Sequence, residues 1–353
     1  MLAEGGHFDV LVIGAGPAGS LTARALSMWG FKTAIVQKDV EPVKFTEVLP
    51  PSSMRAICAQ GLVNLIHSSH SPLSPCSGVT SHWGEGRIYE DDFIRRPESG
   101  GWVVERTALD AELQSLAVSH GAIYRKIQSI DHIETYENGW IIIVDDDVSF
   151  TCRFVIDASG RPSTFARRVG AKRQVTSKLF AGGINFVGQA VDDIGESRLF
   201  VKSHPEGWSY SISHPEHYLS AVLVSSSSSI KNKASLEKAL GKIYPQYVDS
   251  EAASLDRVLF TDASSFILDH VAGENWLAVG DAAASFDPIT SQGLANAFSS
   301  SLIAAHTCRE FLLNRNFLAL EAYDKAIRDT WSFSDSGRLH VYQQQDQWTE
   351  SLR

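Results

Sequence analysis

Apolar positions cluster at residues 8–13 (FDVLVI), recur with helical spacing over 17–29, and cluster again at 32–37 (KTAIVQ). This predicts a buried strand, a helix and a second parallel strand, a βαβ unit. A helix-like pattern at 52–66 follows, then a polar stretch (HSSHSPLSPCSG) that reads as a loop, then period-two alternation at 78–83 and 87–95. The strand predicted at 101–105 runs into a helix at 107–119, with Thr107 as N-cap and Asp110 three residues on as its capping-box partner. Strands at 122–127, 130–135, 140–144 and 149–156 form a meander.

Residues 180–268 have a different texture. Alternating strands (INFVGQAV, SRLFVKS, WSYSIS, YLSAVLV) lead to a serine run at 225–229, read as a loop, and to a helix near 234–243. Long helical patterns occupy 291–313 and 317–331. Strands inserted between pieces of one parallel α/β unit imply a discontinuous domain carrying an antiparallel sheet. The expected division is 1–75, 101–170 and 270–313 for a dinucleotide-binding domain, 76–100 and 171–269 for a β-sheet substrate domain, and 314–353 for a C-terminal helical segment.

The 353 residues, 44% of them apolar, are enough for two intertwined domains. A net charge of −10 argues against nucleic acid or an anionic membrane as partner. The four cysteines, Cys58, Cys76, Cys152 and Cys308, lack metal or CxxC spacing, so buried free thiols in a reducing cytoplasm are expected. The short N-terminal apolar run follows an acidic opening and is not read as a signal peptide, and no 18-residue apolar run predicts a membrane span.

The chemistry begins where the first strand meets Gly14, Gly16 and Gly19 in GAGPAG, a segment that also holds Pro17 and Ala18. In such a turn the first glycine permits the reversal, the second admits a pyrophosphate, and the third lets helix pack on strand. The helix N-terminus offers free N–H groups and a positive dipole to the phosphates. At the end of the second strand, where a carboxylate usually grips the adenosine ribose, stand Gln37 and Lys38. An amide can still bond a hydroxyl, so this weakens the site without removing it. Far downstream, GDAAASFDPITSQG places an apolar strand before Gly280 and Asp281 and then small residues opening a helix, the pattern that holds the ribitol of FAD. Two further junctions are candidates. Arg106 stands where a guanidinium reaches flavin phosphate or ribose, and Asp157-Ala-Ser-Gly160 is a turn that would face phosphate.

Taken together, GAGPAG, VVERTALD, DASG and GDAAASFDPITSQG resemble the single-domain FAD monooxygenases of the hydroxybenzoate-hydroxylase fold, and within them the flavin-dependent halogenase branch. The segments FDPITSQG and FTEVLPPS, and the spacing from Tyr342 to Trp348, are similar to flavoprotein maturases that hydroxylate a tryptophan of cysteine-tryptophylquinone oxidases. The resemblance implies an FAD-binding Rossmann-like domain of glutathione-reductase type with an inserted antiparallel sheet. It implies that Gly14, Gly16 and Gly19 hold pyrophosphate, Gln37 the adenosine ribose, Arg106 the ribityl or phosphate side and Asp281 the ribitol. Pro288, Ser291, Gln292 and Gly293 would then lie along the isoalloxazine, and Asp157 and Gly160 match a motif serving both FAD and pyridine nucleotide.

Halogenases of this branch depend on a lysine after the FTEVLPP region, yet no lysine occurs between Lys44 and Lys126. Their Trp-x-Trp-x-Ile-Pro segment is matched only by Trp208-Ser-Tyr210-Ser-Ile212-Ser213. The expectation is therefore a monooxygenase using FAD, O2 and either NAD(P)H or a reductase partner, acting through a flavin C4a-hydroperoxide on an aromatic ring, with a precursor quinone-cofactor oxidase as protein substrate. A small-molecule aromatic hydroxylase, a halogenase and a non-oxygenating flavin reductase or chaperone are the alternatives. Candidates for handling a proton are Glu47, His82, His214 and Asp287, each with a plain reading as a loop, strand or cap residue. Trp83, Trp208 and Tyr210 could line an aromatic pocket or pack as strand aromatics.

Overall fold

A computed structural model describes residues 3–40, 46–68, 71–83, 88–98, 100–187, 197–205, 207–214, 218–226, 230, 233–244 and 254–344. The frame is a parallel sheet ordered Trp276–Ala278, Val148–Asp157, Ala3–Ile13, Thr33–Lys38, Ile123–Ile127. Its central strand reads Val10-Leu11-Val12-Ile13 because both faces are covered, and all four residues are buried. Gly139–Val144 joins Val148–Asp157 antiparallel, and Ile130–Tyr136 joins it in turn, so three of the four strands expected as a meander form one, while the fourth, Ile123–Ile127, pairs parallel with Thr33–Lys38 at the other edge.

The helix Pro17–Met28 begins with proline in its first turn, where the missing N–H costs nothing. It lies against the 22-residue helix Gly293–Asn314, and Thr22 Oγ1 donates to the Ser301 carbonyl at 3.3 Å across the contact. Alanine, serine and glycine on both helices permit the close approach.

A second sheet of seven strands runs Ser254–Asp262, Phe180–Val187, Tyr218–Ser225, Gly207–His214, Leu199–His204, Gly78–His82, Ile88–Asp92. It is antiparallel except where Leu199–His204 meets Gly78–His82. The chain is thus an α/β Rossmann-like unit with an inserted, mostly antiparallel sheet, in agreement with the fold class implied by its motifs.

Several local expectations are corrected. The 52–66 helix is instead Met54–Ala59 and Val63–His67, separated at Gly61, whose φ of +66° and whose N–H bond to the Cys58 carbonyl close the first piece. A third of the polar stretch after it, Leu73–Cys76, forms a strand paired with Gly101–Glu105. The final helix runs Phe317–Gln343, well past 331. His214 ends a strand rather than sitting in a loop, and its side chain lies outside the described residues, as do the serines at 227–229 and Trp348. All four cysteines are free, but Cys58 is exposed. No helix among the described residues is long and apolar enough to cross a membrane.

A Cβ built on Gly19 would stand 2.0 Å from the Gly14 carbonyl oxygen and 2.9 Å from Ala158 Cβ. Backbone cannot yield there as a side-chain tip can, so Gly19→Ala should cost about 1–3 kcal/mol in denaturant unfolding of the cofactor-free protein. Gly337, inside the last helix with open space around it, should behave oppositely. Gly337→Ala should stabilise by up to ~1 kcal/mol in the same assay.

Candidate active site

The glycine turn and the downstream Gly280 turn meet. A Cβ on Gly280, which has φ +59°, would lie 2.8 Å from Ala18 Cβ, so only glycine fits between the two bends. Gly14 has φ +108° and packs on the Ala158 carbonyl, leaving no room for a side chain. Gly16 differs: nothing lies within 4 Å of its would-be Cβ, and no side chain caps the helix that starts after it. Its exposed N–H groups and the free space fit a pyrophosphate at this turn, with no side chain in the way.

One cavity of about 480 Å³ starts here and reaches from the glycine turn to the seven-stranded sheet. Gly16, Pro17, Ala18 and Gly160 line one end, with Asp281, Pro288, Ser291, Gln292 and Gly293 along the next wall. Gly293 opens the helix Gly293–Asn314 without a capping side chain, so that helix also points its free N–H groups at the cavity. The opposite wall comes from the seven-stranded sheet: Ala181, Val201, Val222, Val224, Trp208 and Tyr210. These residues alternate along their strands, which puts one apolar face inward.

Charge is concentrated at the middle of the cavity. Arg106 Nη1 donates to Glu47 Oε1, and its Nη2 sits 3.4 Å from Asp110. Burial alone would lower the Arg106 pKa; the two carboxylates overcome it and raise it. Its Nε is buried without a partner. Thr107 does not cap the helix as the sequence suggests. The cap is Glu105, whose carboxylate accepts from Thr107 N and Ala108 N, because the helix begins one residue earlier and leaves Asp110 free for Arg106.

Asp281, a third exposed, faces Arg161 with Oδ2 3.6 Å from Nε. Burial raises its pKa, and Arg161 opposes the rise. Arg161, which the sequence reading passes over, lies one residue after Gly160 in the turn and lines the cavity.

Asp287 is buried and serves as more than a cap. Its Oδ1 accepts from Ile289 N at 3.0 Å, and Tyr342 donates its hydroxyl to the carboxylate at 2.9 Å. The Trp208 indole N–H donates to the Tyr342 oxygen at 3.1 Å. Burial pushes Asp287 up to about 6, against the pull of the Ile289 N–H and Tyr342. Tyr342 itself is raised by burial and by Asp287, and burial likewise raises Tyr210. Only the resemblance of the C-terminal tail hints at Tyr342 in sequence.

Other candidates fall elsewhere. Asp157 does not face a ligand: it is fully buried, and its carboxylate accepts from the backbone N–H groups of Ser159, Phe165 and Ala166, fastening the short helix Thr164–Arg168 to the strand end. Gln37 turns its Oε1 to Ala15 N at 2.7 Å and its Nε2 to the Lys38 carbonyl, so in this structure it braces the glycine turn. Lys38 is exposed beside it. His82 lies near the far edge of the second sheet, opposite Lys202 and Ile88, and does not line the cavity. Trp83 stands behind the wall, stacked on Tyr342, and donates its indole N–H to the Val341 carbonyl.

The profile of the FAD binding domain family matches residues 7–305. The chain is 25% identical over 345 residues to the digeranylgeranylglycerophospholipid reductase of Thermoplasma acidophilum, covering 91% of this chain and 83% of the relative. It is 23% identical to the putative FAD-dependent oxidoreductase LodB of Marinomonas mediterranea, covering 98% and 95%. Among solved structures, the flavin-dependent brominase Bmp2 superposes with a TM-score of 0.80 at 20% identity, covering 96% of this chain and 87% of that one. The peptidyl tryptophan dihydroxylase QhpG, essential for tryptophylquinone cofactor biogenesis, gives 0.77 at 20% identity, covering 97% and 76%.

Two measurements test the site. Because a methyl at Gly16 meets no protein atom, Gly16→Ala should leave the unfolding midpoint of the cofactor-free protein in place while weakening FAD about tenfold or more by fluorescence titration. An equal loss of stability would make it a packing glycine. The native state holds the Asp287 proton up to about pH 6, against 3.8 as the ordinary value. The penalty of ionising it therefore grows between about pH 4 and 6 and is complete above that range. Asp287→Asn removes the penalty, so its stability relative to wild type should rise by roughly 1–3 kcal/mol from pH 4.5 to 7.5 in denaturant titrations.

Proposed function

Because the chain belongs to the FAD binding domain family, we propose that it is an FAD-dependent monooxygenase that hydroxylates an aromatic ring, namely a tryptophan side chain of a partner oxidase during biogenesis of its tryptophylquinone cofactor. The observation that carries this reading is the single cavity whose one end is the glycine turn with Asp281 and whose opposite wall is Trp208, Tyr210 and aliphatic strand residues. Such a space suits a flat, electron-rich ring held beside a flavin, and the fold shared with a peptidyl tryptophan dihydroxylase agrees with it.

When bound and reduced, FAD supplies the oxygen-activating chemistry. The chain's own residues do the rest. The Gly16 turn and helix N-terminus take the pyrophosphate, Asp281 takes the ribitol, and Arg106, fixed by Glu47 and Asp110, takes the ribityl or phosphate side. The N–H groups at Gly293 favour negative charge on the ring system. Val201, Val222 and Val224 keep water from the reacting face, and Trp208 and Tyr210 orient the substrate ring. Asp287 at the cavity wall, pushed up to about 6 by burial, is the group placed to hold or release a proton at its carboxylate oxygens. Among the described residues no lysine lines the cavity, which argues against the halogenase alternative. NAD(P)H or a reductase partner supplies the electrons.

Co-expression with a precursor oxidase should add oxygen mass to one of its tryptophans, with heavy-isotope label taken from O2, while the purified protein leaves free tryptophan and phenols unchanged. Rapid turnover of free phenols would replace the protein substrate with a small molecule. A modified partner without the label would instead favour the reductase reading, in line with the chemistry named for the Thermoplasma relative.

A further inference from the structure

Between Ala158 and Val187 the chain carries Arg161, Arg167, Arg168, Lys172, Arg173 and Lys178 and no acidic residue, although the whole protein has a net charge of −10. Four of these gather beside the cavity. Arg161 lines it and donates to the Ser264 carbonyl at 2.8 Å. Arg173 donates to the Arg161 carbonyl, and burial followed by repulsion from Arg167 lowers its pKa, with Arg161 adding to the repulsion. Lys178 adjoins Leu179, whose N–H bonds Ser264 Oγ. Arg167, Arg173 and Lys178 make no ion pair among the described residues, and Arg167 and Lys178 are exposed. Within this group Asp281 faces Arg161, and Asp262, which accepts from Ser264 N, attracts Arg173.

Apolar surface lies between these charges. Phe260, 44% exposed, belongs to the cavity lining, and Phe180, 53% exposed, sits opposite Asp262 in the sheet register; Val175 is exposed on the strand Arg173–Ser177, which pairs with Ser265–Leu268. Unpaired arginines among exposed aromatics are the composition of a protein-binding patch rather than of ordinary solvated surface. Arg167 and Lys178, exposed and without an ion-pair partner among the described residues, leave an attraction that an anionic partner can use.

We propose that this rim, Arg161, Arg167, Arg173 and Lys178 with Phe180 and Phe260, docks an acidic segment of a protein and so presents the partner's aromatic side chain to the cavity. The inference rests on the reading of a protein substrate above. Attraction at the rim would speed encounter and fix register, while the aromatic contacts would hold the segment.

The test uses the full-length FAD-loaded protein and a fluorescein-labelled peptide of Asp, Glu and Gly around one Trp, beside a neutral version with Asn and Gln. The acidic peptide should bind more tightly at low salt, and its advantage should shrink as salt rises. Arg167→Glu with Lys178→Glu should weaken it about tenfold with FAD affinity unchanged. Equal binding of the two peptides, or indifference to the double substitution, overturns the proposal, as does tighter binding of single-stranded polyuridylate than of the acidic peptide. In co-expression the same variant should lower the hydroxylated fraction of the precursor oxidase. If even the wild type leaves that oxidase unmodified, the functional reading falls while the peptide titration still decides the docking face.

Discussion

The structure depends on two backbone bends being brought within van der Waals contact by a sheet whose strand order is not the chain order. Ala18 and Gly280 touch because Trp276–Ala278 and Ala3–Ile13 flank the same strand, Val148–Asp157. Hydrophobic burial on both faces of that sheet supplies the driving force, and the absence of a side chain at Gly280 lets the contact close. The position of Asp281 relative to the glycine turn, and the cavity between them, follow from this contact.

Charge around the cavity obeys a second constraint. Arg106 with Glu47 and Asp110, and Arg161 with Asp281, pair each partly buried ion with an opposite one, since an isolated ion there would be costly. Asp287 has no such cation within ion-pair distance among the described residues, and hydrogen bonds take that place. Its neutral form is correspondingly favoured by burial, without the ion pair that opposes the same effect at Asp281.

What could be read from sequence was what short-range backbone rules dictate. The first βαβ unit, the glycine spacing and the Gly280-Asp281 bend are local patterns, and they locate the cofactor end of the cavity. The misreadings have equally physical origins. Asp157 looked ligand-facing because a strand-Asp-Gly turn does not reveal that one N–H of the turn, Ser159, and two of the next helix, Phe165 and Ala166, already occupy the carboxylate. Thr107 looked like a cap because Glu105, two residues earlier, reaches those N–H groups with a longer side chain. The helical pattern across Gly61 hid a left-handed residue, and His82 lies away from the cavity owing to cross-strand neighbours distant in sequence. Trp208 to Tyr342 to Asp287 joins three separate stretches, and no periodicity encodes it.

That last chain of hydrogen bonds bears on how the protein is made. Tyr342 stands in the final turn of the last described helix, yet it ties together a sheet residue and a turn that leave the ribosome much earlier. During synthesis the indole of Trp208 and the carboxylate of Asp287 must wait, without this partner, until that helix emerges and docks. A nascent chain would therefore carry a cofactor-ready turn before its aromatic wall is anchored, and the order of translation itself would delay assembly of a competent enzyme.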